Sequence, residues 1–471
     1  MEVKEREKAL IKNTGILALG SLSSKIFSFF LLPLYTTALS TADYGTIDVL
    51  QTVTMLVVPF ASLQLSSAVF RFIIEADNEK KRKEIITSAF IIELISTLLF
   101  IIVFCIINYI KPITYFKLFI IYFGSIMIIE FVQNTIRGFG YNGIYSIMSV
   151  LMTIASAVMN IIMILCMGIK GESILIASSI SSYLGSIIVI IYLKLWRYVS
   201  LDAFSKQYLK RLFKYCLPLI PNSISWWITN ASDRLIVRGF LGSSFNGIYA
   251  AANKIPTVYT NFFNVYNLAW TEAVARSQGD KKQSEFLNSM FKKSLKLFGC
   301  INLGIICGMS LMFTILIGQE YKQAYPQIYI LMIAIFISSI CSIYGGILTG
   351  YKMSKTIGIT TVVGAIVNII INLLMITRFG LYAASISTLI AYLIILIIRV
   401  IAINKVTKLN WPVDYFIQFF IALLVVTIGY FIGNIYENFL IFIIIFIWST
   451  LWNKEMILPL FKSIINKKKN K

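Results

Sequence analysis

"TGILALGSLSSKIFSFFLLPLYT", residues 14–36, is a run of 23 residues with a single charge, Lys25. A helix rises 1.5 Å per residue, so a run of this length crosses the roughly 30 Å hydrocarbon core of a bilayer. The Lys25 ammonium then lies near the membrane centre, where an unpaired charge costs roughly 2.5–3.5 kcal/mol on insertion scales. One span predicts a membrane protein; the charge inside it predicts a partner or a wet cavity.

The rest of the chain agrees with that reading. Of 471 residues, 58% are hydrophobic and only 13% charged, and the mean hydropathy is +0.81, which excludes an ordinary soluble domain. A net charge of +21 would suit nucleic acid, but the basic residues sit in short segments between apolar runs rather than on a solvated face, so no nucleic-acid partner is expected. There is no histidine, which removes imidazole bases and His-ligated metals. Cys105, Cys166, Cys216, Cys300, Cys307 and Cys341 lie in or at the ends of apolar runs without paired spacing and read as small hydrophobes. Neither a metal nor another cofactor is expected. The first 13 residues mix both signs of charge and no small-residue cleavage site follows the first run, so that run is expected to be retained.

Apolar stretches of about 20 residues recur near 14–36, 46–70, 85–109, 118–139, 144–167, 173–195, 215–238, 246–270, 297–317, 325–350, 355–377, 381–401, 415–433 and 436–452. That is about 14 transmembrane helices in an all-α polytopic fold, because only helices or closed barrels satisfy their backbone in lipid. With a cytoplasmic N-terminus, 33 Lys and Arg fall on the inner side, 6 on the outer side and 3 within spans. This bias follows the positive-inside rule and predicts that both termini are cytoplasmic. The segment "RYVSLDAFSKQYLKRLF" sets Leu201, Phe204, Tyr208 and Leu212 on one helical face and Lys206, Lys210 and Lys214 on another, as expected of an amphipathic linker on the inner membrane surface.

The two halves repeat each other. "ALSTADYGTIDV" (38–49) aligns with "FLGSSFNGIYAA" (240–251) at an offset of 202, matching Leu39 with Leu241 and Gly45 with Gly247. "AVMNIIMILCMGIKG" (157–171) aligns with "AIVNIIINLLMITRFG" (365–380), matching Asn160 with Asn368 and Gly171 with Gly380. Both halves begin on the same side, so the repeat is parallel. The expected organisation is an N-terminal lobe over 1–195, a linker over 196–214, a C-terminal lobe over 215–403, and two additional spans with a basic tail over 404–471. Two six-helix lobes that rock about a central cleft make a transporter architecture.

The pattern "KNTGILALGSLSSKIFSFFLLPLYTTALSTADYGTIDV", the "GFGYNG" at 138–143 and the "GGILTGYKMSKT" at 345–356 resemble the polysaccharide transporters of the multidrug/oligosaccharidyl-lipid/polysaccharide exporter superfamily, above all the bacterial O-antigen and capsule repeat-unit flippases. The resemblance covers nearly the whole chain, and its most specific part is "PLYTTALSTADYG". It implies a non-enzymatic, multi-pass protein of the bacterial cytoplasmic (inner) membrane. Such a protein carries an undecaprenyl-pyrophosphate-linked oligosaccharide to the outer leaflet for lipopolysaccharide, capsule or exopolysaccharide biosynthesis. Membrane lipid is a second partner, and a polysaccharide polymerase with its chain-length machinery is a candidate third. The family has no strict catalytic motif, so the resemblance fixes no site residue.

The residues themselves supply candidates, because charges inside a membrane face a cavity or a partner. Lys25, the deepest, either lines a cavity or pairs with an acid such as Glu130 or Asp48. Glu130 and Arg137 are seven apart on one helical face. They either bridge through a neighbour or line the inner cleft. Asp233, Arg234, Arg238 and Lys254 follow in the second half, with Arg234 and Arg238 able to reach water from near a helix end. At the repeat offset Lys25 falls opposite Trp227, beside Trp226. A cation facing an indole pair suits a sugar-pyrophosphate head group; the alternative is tryptophans that only pack. Arg71 and Glu272 read as interfacial anchors, and Asp48 and Glu93 as further intramembrane acids.

Two competing functions share the fold class: a multidrug or cation antiporter, whose pocket favours acids, and a flippase for peptidoglycan lipid precursors. An enzyme of lipid-linked sugars needs a sizeable external loop, and none is present; no "GxxxxGK[ST]" occurs either.

Overall fold

The computed structural model describes residues 29–278 and 280–454, so Lys25 and the rest of the first run lie outside the described residues. The described residues are helical throughout and divide into two compact units, Met1–Ala250 and Ala251–Lys471.

The first unit holds α1 (Leu32–Ala38), α2 (Thr41–Ala61), α3 (Leu65–Glu75), α4 (Glu79–Ile110), α5 (Phe116–Gly138), α6 (Asn142–Leu165) and α7 (Glu172–Tyr192). Two 3₁₀ turns (Leu195–Tyr198, Leu201–Ala203) lead to α8 (Lys206–Cys216), α9 (Leu219–Leu241) and the start of α10 (Ser243–Arg276). The second unit holds the rest of α10, α11 (Gln283–Leu316), α12 (Ala324–Gly350), α13 (Ser354–Phe379), α14 (Leu381–Asn404), α15 (Val413–Ile432) and α16 (Ile435–Trp452).

Eleven of these helices are long and apolar enough to cross a membrane: α2, α4 to α7 and α11 to α16. The expected seventh and eighth spans are α9 and α10, of 23 and 34 residues, which are long enough but carry too many Asn, Ser and charged residues to join the eleven on composition. Their length suits a span, but the charge bias does not require them, because omitting both leaves the side of every other segment unchanged. The protein is an all-helical, multi-pass membrane protein.

Helix contacts follow membrane rules, with small or polar residues where backbones approach. On α7 the buried face is a serine stripe, Ser179, Ser182 and Ser186, packed on α5 and α6. On α14 it is Ala383, Ala384, Ser387, Thr388 and Ala391, packed on α12 and α13. The opposite faces carry Ile187, Ile188, Ile191 and Ile397, exposed as a lipid-facing surface is.

Two expectations need correction. The second span, read as one helix over 46–70, breaks at 62–64, where Leu63 (φ 49°) and Gln64 (φ 56°) adopt the left-handed region. Pro59 interrupts the hydrogen-bond ladder one turn earlier. The amphipathic segment is helical only from Lys206, capped by Ser205, and its buried face is Leu212 and Cys216 with Tyr208 beside them, packed on α3 and α4; Leu201 is 83% exposed in a 3₁₀ turn before the helix.

Candidate functional site

The two matched glycines of the repeat meet. A methyl group on Gly45, in the first turns of α2, would lie 1.9 Å from the Ser243 carbonyl oxygen and 2.6 Å from the Gly247 amide nitrogen. A methyl on Gly247, in the first turn of α10, would lie 2.0 Å from the Thr41 carbonyl oxygen. Only glycine lets two backbones approach this closely, so the start of α2 and the start of α10 form a tight crossing.

Polar side chains close around it. Arg234 on α9 makes an ion pair of 2.6 Å with Asp48 on α2, whose side chain is only 6% exposed. The second Asp48 oxygen accepts from Asn246 Nδ2 at 3.2 Å, and the same amide donates to the Gly45 carbonyl at 2.9 Å. Arg238, one turn along α9, donates to Thr46 Oγ1 at 3.2 Å. Asp233 accepts from the Tyr249 hydroxyl at 3.3 Å, and Trp227 Nε1 donates to the Thr52 carbonyl at 3.0 Å. Nearby, Ser40 caps α2, and Asp43 accepts from the Tyr115 hydroxyl at 2.9 Å. Burial and the Asp43 carboxylate push the Tyr115 phenol up to about 12. The seam therefore joins α2, α9 and the start of α10 through one largely buried ion pair and several hydrogen bonds that a small separation would break together.

A second cluster lies further along the first unit. Glu93 on α4 is 4% exposed, and its carboxylate accepts from the Ser66 hydroxyl of α3 at 3.1 Å. Glu130 is on α5, whose next residue, Phe131, packs on Phe90 of α4 at 5.5 Å between ring centroids. Among the described residues neither acid forms an ion pair. Arg137 does not bridge to Glu130; its guanidinium lies over Phe70 at 4.9 Å and Tyr145 at 5.3 Å, a cation–π seat.

Of the residues singled out in sequence, Trp227, Asp233 and Arg234 come together at the seam with Asp48. Glu130 and Arg137 belong to the second cluster. Lys254 lies half-buried on α10 in the second unit. Lys25 and the side chain of Trp226 lie outside the described residues. Arg71 pairs with Glu75 and Arg276 with Glu272, both at 2.8 Å and on exposed surface, as interfacial anchors do. Sequence reasoning missed Arg399. Charge counting put it in an inner connection, but it is 8% exposed on α14 and donates to the Cys341 carbonyl at 2.7 Å, Thr360 at 3.1 Å and Thr361 at 3.3 Å. Its place in the apolar run up to Val400 was the available signal.

Comparisons with known proteins bear on this geometry. Residues 10–278 match the model of a family described as polysaccharide biosynthesis protein. The fold is similar to that of the lipid II flippase MurJ in an inward closed conformation (TM-score 0.70, 16% identity, 94% of this chain and 99% of the other). It is also similar to an inward-facing multidrug resistance MATE family transporter of the MOP superfamily (TM-score 0.66, 16% identity, 83% and 96%). An uncharacterized membrane protein of Methanocaldococcus jannaschii is 22% identical over 203 residues, 42% of this chain, and the match spans about half (46%) of that relative's length.

Proposed function

Since the chain belongs to the polysaccharide biosynthesis protein family, we propose that it is a flippase that moves undecaprenyl-pyrophosphate-linked oligosaccharide repeat units across the cytoplasmic membrane. The destination is surface polysaccharide: O-antigen, capsule or exopolysaccharide. One conjunction carries the reading. The family belongs to polysaccharide biosynthesis, while the fold is that of transporters that include a lipid flippase. The step of such a biosynthesis that needs a transporter is the transfer of the lipid-linked unit between leaflets.

In this reading both termini are cytoplasmic and the lobes 1–195 and 215–403 rock by alternating access. The α2–α9–α10 seam is the outer gate: the Asp48–Arg234 pair and the glycine crossing hold it shut, and opening exchanges these contacts for water. Lys25 meets the pyrophosphate, and Trp226 stacks on sugar. A polymerase with its chain-length machinery takes up the product. Deleting the gene and assaying lipid-linked sugars on the cytoplasmic side tests the assignment. The expected result is accumulation of the complete repeat unit; accumulation of peptidoglycan precursor instead would identify the other flippase.

A second reading rests on Glu93 and Glu130, two acids on the packed helices α4 and α5 with no ion pair among the described residues. Such a site suits a cationic substrate of a multidrug antiporter. Efflux of cationic dyes that Glu93→Gln abolishes would support it over the flippase.

A further inference from the structure

The first unit contains a cavity of about 380 Å³ that the seam does not use, lined by Ile86, Phe90, Phe131, Val132, Leu195 and Trp196 among others. Its size falls in the range of ligand cavities, roughly 300–1,000 Å³. The wall offers a ligand few polar groups: its only hydroxyl, Thr135 Oγ1, donates to the Phe131 carbonyl at 2.8 Å, and its only other polar side chain, the Trp196 indole, stands half exposed at the rim. A sugar or an ion would gain little there, while a hydrocarbon chain would lose no hydrogen bond.

The rim has the opposite character. Leu195 and Trp196 stand on the 3₁₀ turn that also carries Lys194 and Arg197, both exposed. Trp196 is 48% exposed, with its ring shared between cavity and surface, the usual place of tryptophan at a membrane interface. Arg82 lies one turn before Ile86 on α4, and its guanidinium rests over the Phe139 ring at 5.5 Å. Phe139 in turn packs on Tyr198, at 5.0 Å between ring centroids. The Arg82 Nε is buried and without a hydrogen-bond partner. None of Arg82, Lys194 and Arg197 forms an ion pair among the described residues.

We propose that this cavity is a binding site for an anionic phospholipid. One acyl chain fills the space among α4, α5, α7 and the 3₁₀ turn, and the phosphate is held by Lys194, Arg197 and Arg82. An apolar chamber beneath three unpaired cations matches the two ends of that molecule, and a zwitterionic lipid would leave the cations uncompensated. The site touches neither the seam nor the acid pair, so it stands or falls apart from the transport reading.

The test uses the full-length purified protein in detergent. Phosphatidylglycerol carrying a photoreactive diazirine in one acyl chain is titrated in, against phosphatidylcholine with the same chains, and cross-linked peptides are mapped by mass spectrometry. Cross-links should concentrate on Phe131 and Val132 of α5, with phosphatidylglycerol preferred. Lys194→Gln with Arg197→Gln, both at exposed positions, should weaken that binding about thirtyfold, two juxtamembrane cations' worth. Val132→Phe, which puts a ring into the chamber beside the acyl chain, should reduce the α5 cross-links while a thermal melt reports an intact fold. Equal labelling by both lipids, unchanged affinity in the double variant, or cross-links elsewhere would overturn the proposal. Preferential displacement of phosphatidylglycerol by undecaprenyl pyrophosphate would also overturn it, by assigning the chamber to the substrate's own tail.

Discussion

Gly45 and Gly247 stand where nothing larger fits between their crossing helices. Gly45→Ala and Gly247→Ala should each destabilise the protein by about 1–3 kcal/mol through overpacking against backbone that cannot move aside. Gly304→Ala, at a position with nothing within 4 Å, should stay within about 0.5 kcal/mol. Thermal unfolding in detergent measures all three. The glycine match was legible in sequence because the repeat aligned it; the ion pair beside it was not, because Asp48 and Arg234 stand 186 residues apart and no local pattern links them. Asp48→Asn should cost about 2 kcal/mol, less than a fully buried pair because the Arg234 side chain keeps 23% exposure. Adding Arg234→Gln should return part of that loss, since the stranded guanidinium is then gone. If the double variant is as unstable as the sum of the singles, the two charges do not act as a pair.

Among the elements, the break between α2 and α3 shows what hydropathy cannot see. The run from 46 to 70 is continuously apolar enough to read as one span, and only Pro59 hinted at an interruption. The backbone at the break is satisfied mostly within it: the Gln64 amide donates to Ser62 Oγ at 3.2 Å, and the Gln64 carbonyl accepts from the Ser67 and Ala68 amides and also from Cys216 Sγ at 3.3 Å. The Gln64 side chain accepts from Ser67 at 3.0 Å and donates to Ser223 at 3.1 Å, so the distant partners of the bend in lipid come from α8 and α9. Gln64→Ala should therefore cost about 1–2 kcal/mol, one or two hydrogen bonds' worth. Its effect and that of Ser223→Ala should be less than additive in a double-mutant cycle. Additive losses would mean the bend is held by something other than this bond. The linker helix was read correctly in its Tyr208–Leu212 face but begun too early, because Leu201 and Phe204 precede the Ser205 cap.

At the scale of the whole molecule, the all-helical, membrane-spanning class was accessible from hydropathy, whereas α9 and α10, read as spans near 215–238 and 246–270, are too polar to join the eleven, and the charge bias is the same with or without the pair. Single cysteines at Ser40 and Ser463, in a background without the native six, should label with an impermeant reagent from outside and inside respectively; labelling from one side only would remove the topology on which the gate depends. The proposed substrate rests on resemblance alone, since no side chain in the sequence distinguishes one glycan from another. The central claim, that opening the α2–α9–α10 seam moves a lipid-linked oligosaccharide, is tested most directly in proteoliposomes. Thr46→Cys and Arg238→Cys, partners at 3.2 Å in the native protein, are joined by a short cleavable bifunctional thiol reagent in the cysteine-free background. The transbilayer movement of a fluorescent undecaprenyl-pyrophosphate oligosaccharide is then followed with an impermeant quencher. Movement should be fast with the free cysteines, fall to the protein-free rate on cross-linking and return on cleavage; cross-linked protein that moves the lipid as fast as the uncross-linked form would contradict the account.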